Sequence, residues 1–162
     1  MMKNKIYGSV EEFKLLHPTT KLVVTSGGFD PVHRGHLKCL QESSWRWCSN
    51  WQYFLVIVNG DGFLQRKKGF SFMSLEERME IIAGFECVDF VVPWDDGTQF
   101  VTGAIDILRP DVFTKGGDRS SPIDIPEFEL CIEIGCHVVF GVGGYDKIQS
   151  SSRLVEQVSK TN

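Results

Sequence analysis

The sequence predicts an α/β fold in which helices cover both faces of a five-stranded parallel sheet. Two observations predict it. Five short apolar runs are rich in β-branched residues and nearly continuous, which is typical of strands buried on both faces. Helical patterns separate successive runs, and the connections are short. This alternation favours a three-layer sandwich of the doubly wound, Rossmann-like type.

The five predicted strands end at turn signals or at a proline. Pro93 is expected to stop the third strand, because proline cannot donate a hydrogen bond to a sheet. Ligands of such sheets bind outside the carboxyl ends of the strands, so the residues that follow each strand are the site candidates. The predicted strands lie at 21–26, 53–58, 88–92, 111–115 and 137–140.

The predicted helices are recognised by their caps and their apolar periodicity. Ser9 caps a short first helix with Glu12 at its third position, and Ser74 begins a helix whose capping box is completed by Glu77. The other helices are predicted at 35 to about 46, at about 98 to 108, after Ser121-Pro122 and after Ser150-Ser151-Ser152.

Length and composition indicate a single domain over residues 1–162, because domains average ~150 residues. The net charge of −4 and the lack of a long basic run argue against binding of long nucleic acids. No apolar run approaches the ~20 residues of a membrane helix, and no signal peptide is visible. The five cysteines are odd in number and form no C-x-x-C pair. We therefore expect reduced thiols in a cytoplasmic protein with no membrane partner.

The turn after the first strand predicts an anion site. Its two glycines allow positive φ angles and let a ligand approach the main chain. The next helix begins near Gly35 and directs its free N–H groups and the positive end of its dipole to the same place. The candidate residues for this anion site are Ser26, Gly27, Gly28, Phe29, Asp30 and Gly35.

His33 and His36 lie three positions apart at the start of this helix. Imidazoles at a phosphate site can donate hydrogen bonds to phosphoryl oxygens as charge builds on them, without losing a proton. Gly35 between them leaves space that a larger side chain would fill. The residues alone leave two alternatives: surface histidines beside a turn, and a zinc site, for which further ligands close in sequence are lacking.

The pattern His33-Arg34-Gly35-His36 after a glycine turn resembles the H-x-G-H signature of the cytidylyltransferase-like nucleotidyltransferases. Val58-Asn59-Gly60-Asp61 and Leu75-Glu76-Glu77-Arg78 resemble the loop and helix that follow in that family. Lys115-Gly116-Gly117-Asp118 is similar to the K-G-G-D of the nucleotidyltransferase domain of ADP-heptose synthases. The resemblance covers roughly residues 20 to 158.

The resemblance implies transfer of a nucleoside monophosphate from a nucleoside triphosphate to a phosphorylated acceptor, such as a sugar 1-phosphate, with release of pyrophosphate. His33 and His36 would stabilise the reacting phosphorus. Mg²⁺ would arrive bound to the triphosphate, and Asp30 would orient the metal or its waters. No metal site built from protein ligands alone is expected.

Two basic segments are assigned roles through the resemblance. Lys67 or Lys68 would hold the acceptor's phosphate; taken alone, a basic loop of this kind is more typical of a solvated surface. In the K-G-G-D segment, the glycines would let the backbone approach the nucleotide, with polar contacts from the charged pair; the alternative is a turn with a solvated lysine. These predicted nucleotide contacts are Lys115, Gly116, Gly117 and Asp118.

The serine run Ser150-Ser151-Ser152 opens the last helix, and hydroxyls there are either caps or, as the resemblance implies, ligands of the β- and γ-phosphates. Choline- and glycerol-phosphate cytidylyltransferases carry R-T-E-G-I-S-T at this place. Here Tyr145 and Ile148 stand at the arginine and glycine positions, and Lys147 is a candidate for the missing cation. This departure favours ATP over CTP.

Several alternatives stay open at this point. They are a CTP-dependent glycerol-3-phosphate cytidylyltransferase, a pantetheine- or nicotinamide-nucleotide adenylyltransferase, and a non-catalytic nucleotide-binding regulator. Trp45, Trp47 and Trp51 are either core and edge residues or a subunit contact. Because related enzymes are commonly dimers, we expect a homodimer.

Overall fold

The computed structural model describes residues 4–117, 125–144 and 149–160. Its five strands are β1 (Leu22–Gly27), β2 (Tyr53–Asn59), β3 (Phe90–Trp94), β4 (Val112–Gly116) and β5 (His137–Val142). They form one parallel sheet in the order β3-β2-β1-β4-β5. The order reverses between β1 and β4, which opens a crevice at their carboxyl ends. The predicted doubly wound parallel sheet is confirmed.

Helices cover both faces of this sheet. The predicted caps of the first and fourth helices are confirmed, since Ser9 and Ser74 accept hydrogen bonds from the N–H groups of Glu12 and Glu77. The helix expected after Ser121-Pro122 is also present, although those two residues lie outside the described ones. The helices are α1 (Val10–Leu16), α2 (Arg34–Trp47), α3 (Asp61–Lys68), α4 (Leu75–Ala83), α5 (Thr102–Leu108), α6 (Phe128–Glu133) and α7 (Ser151–Ser159).

Alternating residues of the central strands build a core on each face of the sheet. Val24 and Ile57 pack with buried residues of α1, α5 and α6 on one face. Val23 and Val56 pack with α2 and α4 on the other. Helix α2 follows β1 and helix α5 follows β3. These two helices therefore begin at the carboxyl edge of the sheet, on opposite faces.

Helix α3 corrects the prediction of a basic loop after the second strand. Phe63 and Leu64 are its buried residues, so the apolar period that predicts a helix is missing. The end of the helix does follow a sequence rule: basic residues fill its last turn, and a glycine, Gly69 with φ 84°, comes directly after it. Lys67 and Lys68 therefore lie on a helix.

Strand β3 continues through Pro93 to Trp94, which corrects the expectation that this proline ends it. β3 is an edge strand. The N–H and C=O of Val91 face away from β2 and bond with the Lys5 carbonyl at 2.9 Å and the Tyr7 N–H at 3.0 Å. Pro93 lies two residues further along, so its nitrogen, which carries no hydrogen, faces the same outer side. The pairing of β3 with β2 therefore loses no hydrogen bond.

Three further boundaries differ from the predictions by two residues or more. Strand β3 begins at Phe90 instead of at 88. Helix α5 begins at Thr102, later than expected, because Thr98 forms hydrogen bonds with Asp96 in a turn before it. Strand β5 runs to Val142 instead of ending at 140.

No helix in the described part of the chain is both long enough and apolar enough to span a membrane. All five cysteines are free thiols, and Cys87, Cys131 and Cys136 are buried. Of the tryptophans weighed as a subunit contact, Trp45 is 71% exposed, whereas Trp47 packs against the core.

Candidate active site

A cavity of about 560 Å³ opens at the carboxyl ends of β1, β2 and β4. The first residues of α2 and α7 also line it. Every predicted site residue that the structure describes lies in its wall, and Asp118 lies outside the described residues. The predicted residues brought together here are Ser26, Gly27, Gly28, Phe29, Asp30, His33, Gly35, His36, Lys67, Lys68, Lys115, Gly116, Gly117, Ser150, Ser151 and Ser152.

His33 and His36 form a stacked pair at the start of α2, with ring centroids 3.8 Å apart. The Gly35 N–H donates to Nδ1 of His33 at 3.1 Å, and the His33 N–H donates to Nδ1 of His36 at 3.2 Å. Because both Nδ1 atoms accept, the hydrogen of each neutral ring lies on Nε2. The pair therefore carries two Nε2–H donors.

The environment of His36 keeps its ring neutral at physiological pH. Burial is the largest cause, and the neighbouring His33 and Lys68 act in the same direction. Together they lower the pKa of His36 from 6.5 to about 3. A neutral imidazole of this kind can donate one hydrogen bond to a phosphoryl oxygen as negative charge develops.

This low pKa of His36 predicts a loss of stability in acid. In the unfolded chain the ring titrates near 6.5, whereas in the folded protein it titrates near 3. Between these values the unfolded state binds more protons, so the free energy of unfolding falls as the pH drops from 6.5 towards 3. The fall is at most about 1.4 kcal/mol per pH unit. Urea unfolding at several pH values measures it.

The matched variant for this measurement is His36→Asn. Its Oδ1 can accept the bond from the His33 N–H, and its side chain does not titrate. We expect a smaller loss of stability between pH 6.5 and pH 4 than in the wild type. Equal slopes for the two proteins would contradict the assigned pKa.

The glycines of the first turn provide space, which corrects the expectation of positive φ at Gly27 and Gly28. The positive φ falls on Phe29, at 54°. A Cβ on Gly27 would lie 3.0 Å from Cζ of Phe29, and a Cβ on Gly28 would lie 2.8 Å from Cδ2 of Leu64. The Phe29 ring also packs edge-on against His36, with centroids 5.0 Å apart. The bare Gly27 thus lets Phe29 fold back and support the histidine pair.

Gly35 is required by the histidine beside it. A Cβ at this position would lie 2.9 Å from Cε1 and 3.1 Å from Nδ1 of His33. The contact with Cε1 is closer than real Cβ atoms show, so a side chain at Gly35 would shift the His33 ring from its hydrogen bond.

Asp30 and Lys68 anchor the loop between α3 and α4. The Asp30 carboxylate is buried and accepts hydrogen bonds from the N–H groups of Phe72 and Met73, each at 2.6 Å. Nζ of Lys68 lies 3.3 Å from this carboxylate and donates to the Asp30 carbonyl at 3.0 Å. Both carboxylate oxygens are thereby engaged, which does not favour the expectation that Asp30 orients a metal or its waters.

Two other lysines bring positive charge to the cavity wall. Lys67 is exposed in the last turn of α3, with Nζ 5.8 Å from the centre of the Phe63 ring. Lys115 is buried at the end of β4 and donates to Oγ of Ser26 at 3.1 Å. Ammonium groups placed in this way are suited to phosphate.

The serine run ties α7 to the first turn. Oγ of Ser150 caps the helix by accepting the N–H of Arg153 at 3.1 Å. Oγ of Ser151 donates to the Pro31 carbonyl at 2.8 Å. Ser152 is exposed in the first turn of α7. The N-termini of α2 and α7 therefore face one cavity.

Arg78 is a fully buried cation whose structural role was not predicted. Its Nη1 donates to the carbonyls of Gly28 at 2.8 Å and Asn59 at 2.6 Å. Its Nε donates to the Met73 carbonyl at 3.0 Å, and its Nη2 pairs with Asp61 at 2.6 Å. One side chain thus joins the ends of β1 and β2 to the loop before α4.

Two further polar residues of the wall were also missed by the sequence analysis. Asn59 and Glu127 are 5% and 4% exposed. Oε1 of Glu127 accepts the N–H of Val101 at 3.0 Å. Among the described residues, Glu127 Oε2 and Asn59 Oδ1 have no hydrogen-bond partner.

The cavity wall fits a metal that arrives with its phosphates. No group of three or more His, Cys, Asp or Glu side chains suited to a metal occurs within 4–117, 125–144 and 149–160. Mg²⁺ commonly keeps several waters and binds through substrate phosphates. The lysines and N–H groups of the wall would then contact the phosphate oxygens that the metal leaves uncovered.

A family model described as cytidylyltransferase-like matches residues 24–139. Proteins named bifunctional protein HldE are among the similar curated sequences. The one from Pseudomonas fluorescens is 30% identical over 150 residues, which is 88% of this chain and 28% of that protein. The one from Geobacter sulfurreducens is 31% identical over 148 residues, 86% of this chain and 27% of that protein. The chain thus spans under a third of the length of these relatives.

A solved structure supports the fold. The lipopolysaccharide core biosynthesis protein from Thermoplasma volcanium superposes with a TM-score of 0.60 at 23% sequence identity. The match covers 78% of this chain and 98% of that one.

Proposed function

The chain belongs to the cytidylyltransferase-like family of nucleotidyltransferases, and on this premise we propose that it transfers AMP from ATP to a phosphorylated acceptor. The acceptor we propose is a sugar 1-phosphate, and the products are a nucleoside-diphosphate sugar and pyrophosphate. We place this activity in the cytoplasm and in a single domain over residues 1–162.

In the proposed reaction an oxygen of the acceptor's phosphate attacks the α-phosphorus of the triphosphate. A P–O bond forms while the bond from the α-phosphorus to the oxygen that bridges it to the β-phosphate breaks. Pyrophosphate carries away the electron pair of that bond. The protein then has to position two anions and stabilise growing negative charge, and no covalent enzyme intermediate is needed.

The stacked histidine pair is the observation that carries this proposal. The backbone bonds to both Nδ1 atoms leave two Nε2–H donors at the N-terminus of α2, in the wall of the cavity. Neutral donors fixed before the substrate binds are suited to the oxygens of the α-phosphoryl group. Lys115 and the first turns of α2 and α7 would bind the triphosphate. Mg²⁺ bound to that triphosphate would neutralise part of its charge.

An assay of pyrophosphate release, with mass spectrometry of the products, tests the proposal. ATP or CTP and Mg²⁺ are combined with glucose 1-phosphate, a heptose 1-phosphate, glycerol 3-phosphate, phosphopantetheine or nicotinamide mononucleotide. We expect release with ATP and a sugar 1-phosphate. Release that requires CTP and glycerol 3-phosphate would establish the cytidylyltransferase alternative. Release from ATP with one of the last two acceptors would establish the corresponding adenylyltransferase. ATP binding without release would indicate a nucleotide-binding regulator.

Lys67 is the lysine that we propose for the acceptor's phosphate, because it is exposed in the cavity wall, whereas Lys68 holds the buried Asp30 carboxylate. Lys67→Met is expected to raise the KM for the acceptor about 10- to 100-fold, the effect of one hydrogen bond to a charged group. Lys68→Met is expected to lower the Tm instead, since it removes the partner of a buried carboxylate. Steady-state kinetics and thermal unfolding separate the two effects.

The control for this pair is Lys38→Met, since Lys38 is exposed on α2 and does not line the cavity. We expect unchanged kinetics for it. A normal KM for the acceptor in Lys67→Met would contradict the assignment.

We also propose that the chain forms a homodimer. Trp45 and Trp51 are 71% and 65% exposed; Trp45 lies in the last turn of α2, and Trp51 lies in the turn that follows the helix. Sedimentation equilibrium of the wild type and of Trp45→Ser tests whether this surface joins two subunits.

A further inference from the structure

We propose that Glu127 and Asn59 form a subsite that binds hydroxyl groups of the acceptor. This inference rests on the proposed function, because it assigns the acceptor to one part of the same cavity. It concerns two oxygen atoms that the fold buries without pairing them to any described residue.

The first step is the burial of these two oxygens. Glu127 and Asn59 are less than a tenth exposed, and both lie in the cavity wall. Oε1 of Glu127 is used by the Val101 N–H, but Oε2 has no partner among the residues that the structure describes, and neither has Asn59 Oδ1. A buried polar atom without a partner is costly. A ligand that donates hydrogen bonds to both would remove that cost.

The second step is the chemistry of the ligand. A carboxylate oxygen and an amide oxygen both accept hydrogen bonds, so the ligand group must be a donor. A phosphate is excluded, because its oxygens would be repelled by the carboxylate. The substrates of the proposed reaction carry hydroxyl donors on their sugar or polyol parts.

The third step is the position of the two residues in the fold. Asn59 closes β2 and directly precedes the helix that carries Lys67. Val101, whose N–H donates to Glu127, lies at the start of α5 after β3. The proposed triphosphate contacts lie instead on α2, α7 and β4. Asn59 therefore lies on the β2 side of the cavity, and Glu127, which precedes α6, reaches the start of α5 through Val101. We place the acceptor along these residues, with its phosphate on Lys67.

Binding measurements test the subsite independently of turnover. Isothermal titration calorimetry is performed on the full chain with Mg²⁺ and α,β-methylene-ATP, which cannot release pyrophosphate. The probes are glucose 1-phosphate, mannose 1-phosphate and glycerol 3-phosphate, each compared with methyl phosphate, which has no hydroxyl group. We expect at least one hydroxyl-bearing probe to bind more tightly than methyl phosphate.

The test variant is Glu127→Gln, which keeps an oxygen for the Val101 N–H and turns the other position into a donor. We expect the preference for the hydroxyl-bearing probe to fall about 10- to 100-fold. The affinities for methyl phosphate and for the nucleotide analogue should stay unchanged. The Tm should not fall, because the substitution removes a buried charge; a purely structural Glu127 would lower the Tm and leave the preference intact.

Glu129→Gln is the matched control, since Glu129 is exposed in the first turn of α6, the helix that Glu127 precedes, and does not line the cavity. It should keep the preference of the wild type. Asn59→Ala provides a second test variant, in which we expect the preference for the hydroxyl-bearing probe to fall as well.

Three results would overturn the subsite: no wild-type preference for hydroxyls, an unchanged preference in both test variants, or a loss confined to the nucleotide analogue. That last result would indicate that the two oxygens bind hydroxyl groups of the nucleotide's ribose instead of the acceptor. Absence of pyrophosphate release from every acceptor, together with a preference that Glu127→Gln abolishes, would contradict the proposed function and leave the subsite standing.

Discussion

Replacing His36 with alanine is expected to lower kcat by about 10² to 10³, the effect of removing one preorganised donor to a developing oxyanion. The Nδ1 bond from the His33 N–H holds the ring so that its hydrogen lies on Nε2. Because this donor matters most as charge builds in the transition state, the KM for ATP should change less than kcat. Pyrophosphate release under saturating substrates measures the effect.

His33→Ala should cause a loss in rate of similar size. His33 also caps α2 through the Gly35 N–H, so this variant should lose about 1 kcal/mol of stability in addition. Rates are therefore compared well below the Tm of each variant.

His137→Ala is the control for both substitutions. His137 is exposed at the beginning of β5, at the end of the sheet opposite the cavity. Its replacement should leave kcat unchanged. A normal kcat in His36→Ala would remove the basis of the proposed chemistry.

Replacing Arg78 with methionine is expected to cost about 3–5 kcal/mol of the free energy of unfolding, the usual effect of breaking a buried charge network. Arg78 is fully buried, and its donors satisfy the carbonyls of Gly28, Asn59 and Met73. Methionine has a similar length but no donor, so these carbonyls would be buried unpaired. Urea unfolding measures the loss.

Arg46→Met is the control, because Arg46 is 68% exposed and pairs with Glu42 across one turn of α2. Such a pair contributes at most about 1 kcal/mol. Equal stability losses for the two arginines would show that the Arg78 contacts contribute little.

The sheet and the position of the cavity could be predicted from the sequence, since both depend on local patterns. Apolar β-branched runs identify parallel strands, and in such a sheet the segments after the strands converge at one edge. The segment from Ser26 to His36 follows the first strand, which makes it a site candidate, and its histidine spacing resembles the signature of the family. The spacing of His33 and His36 also predicts their closeness, because both lie at the start of one helix.

The missed residues depend on contacts between distant parts of the chain. Arg78 touches Gly28, which lies 50 positions away, and Glu127 contacts Val101, which lies 26 positions away. A polar residue in a sequence does not reveal that the fold will bury it. The sequence likewise does not distinguish the roles of Lys67 and Lys68, because Lys68 is engaged by Asp30, which lies on a distant part of the chain.

The outer side of β3 has a consequence for solubility. The Val91 backbone groups are already bonded to Lys5 and Tyr7, and Pro93 has no N–H to offer. A strand from another molecule would find few open positions along this border. The arrangement therefore protects this edge of the sheet against edge-to-edge aggregation at high protein concentration.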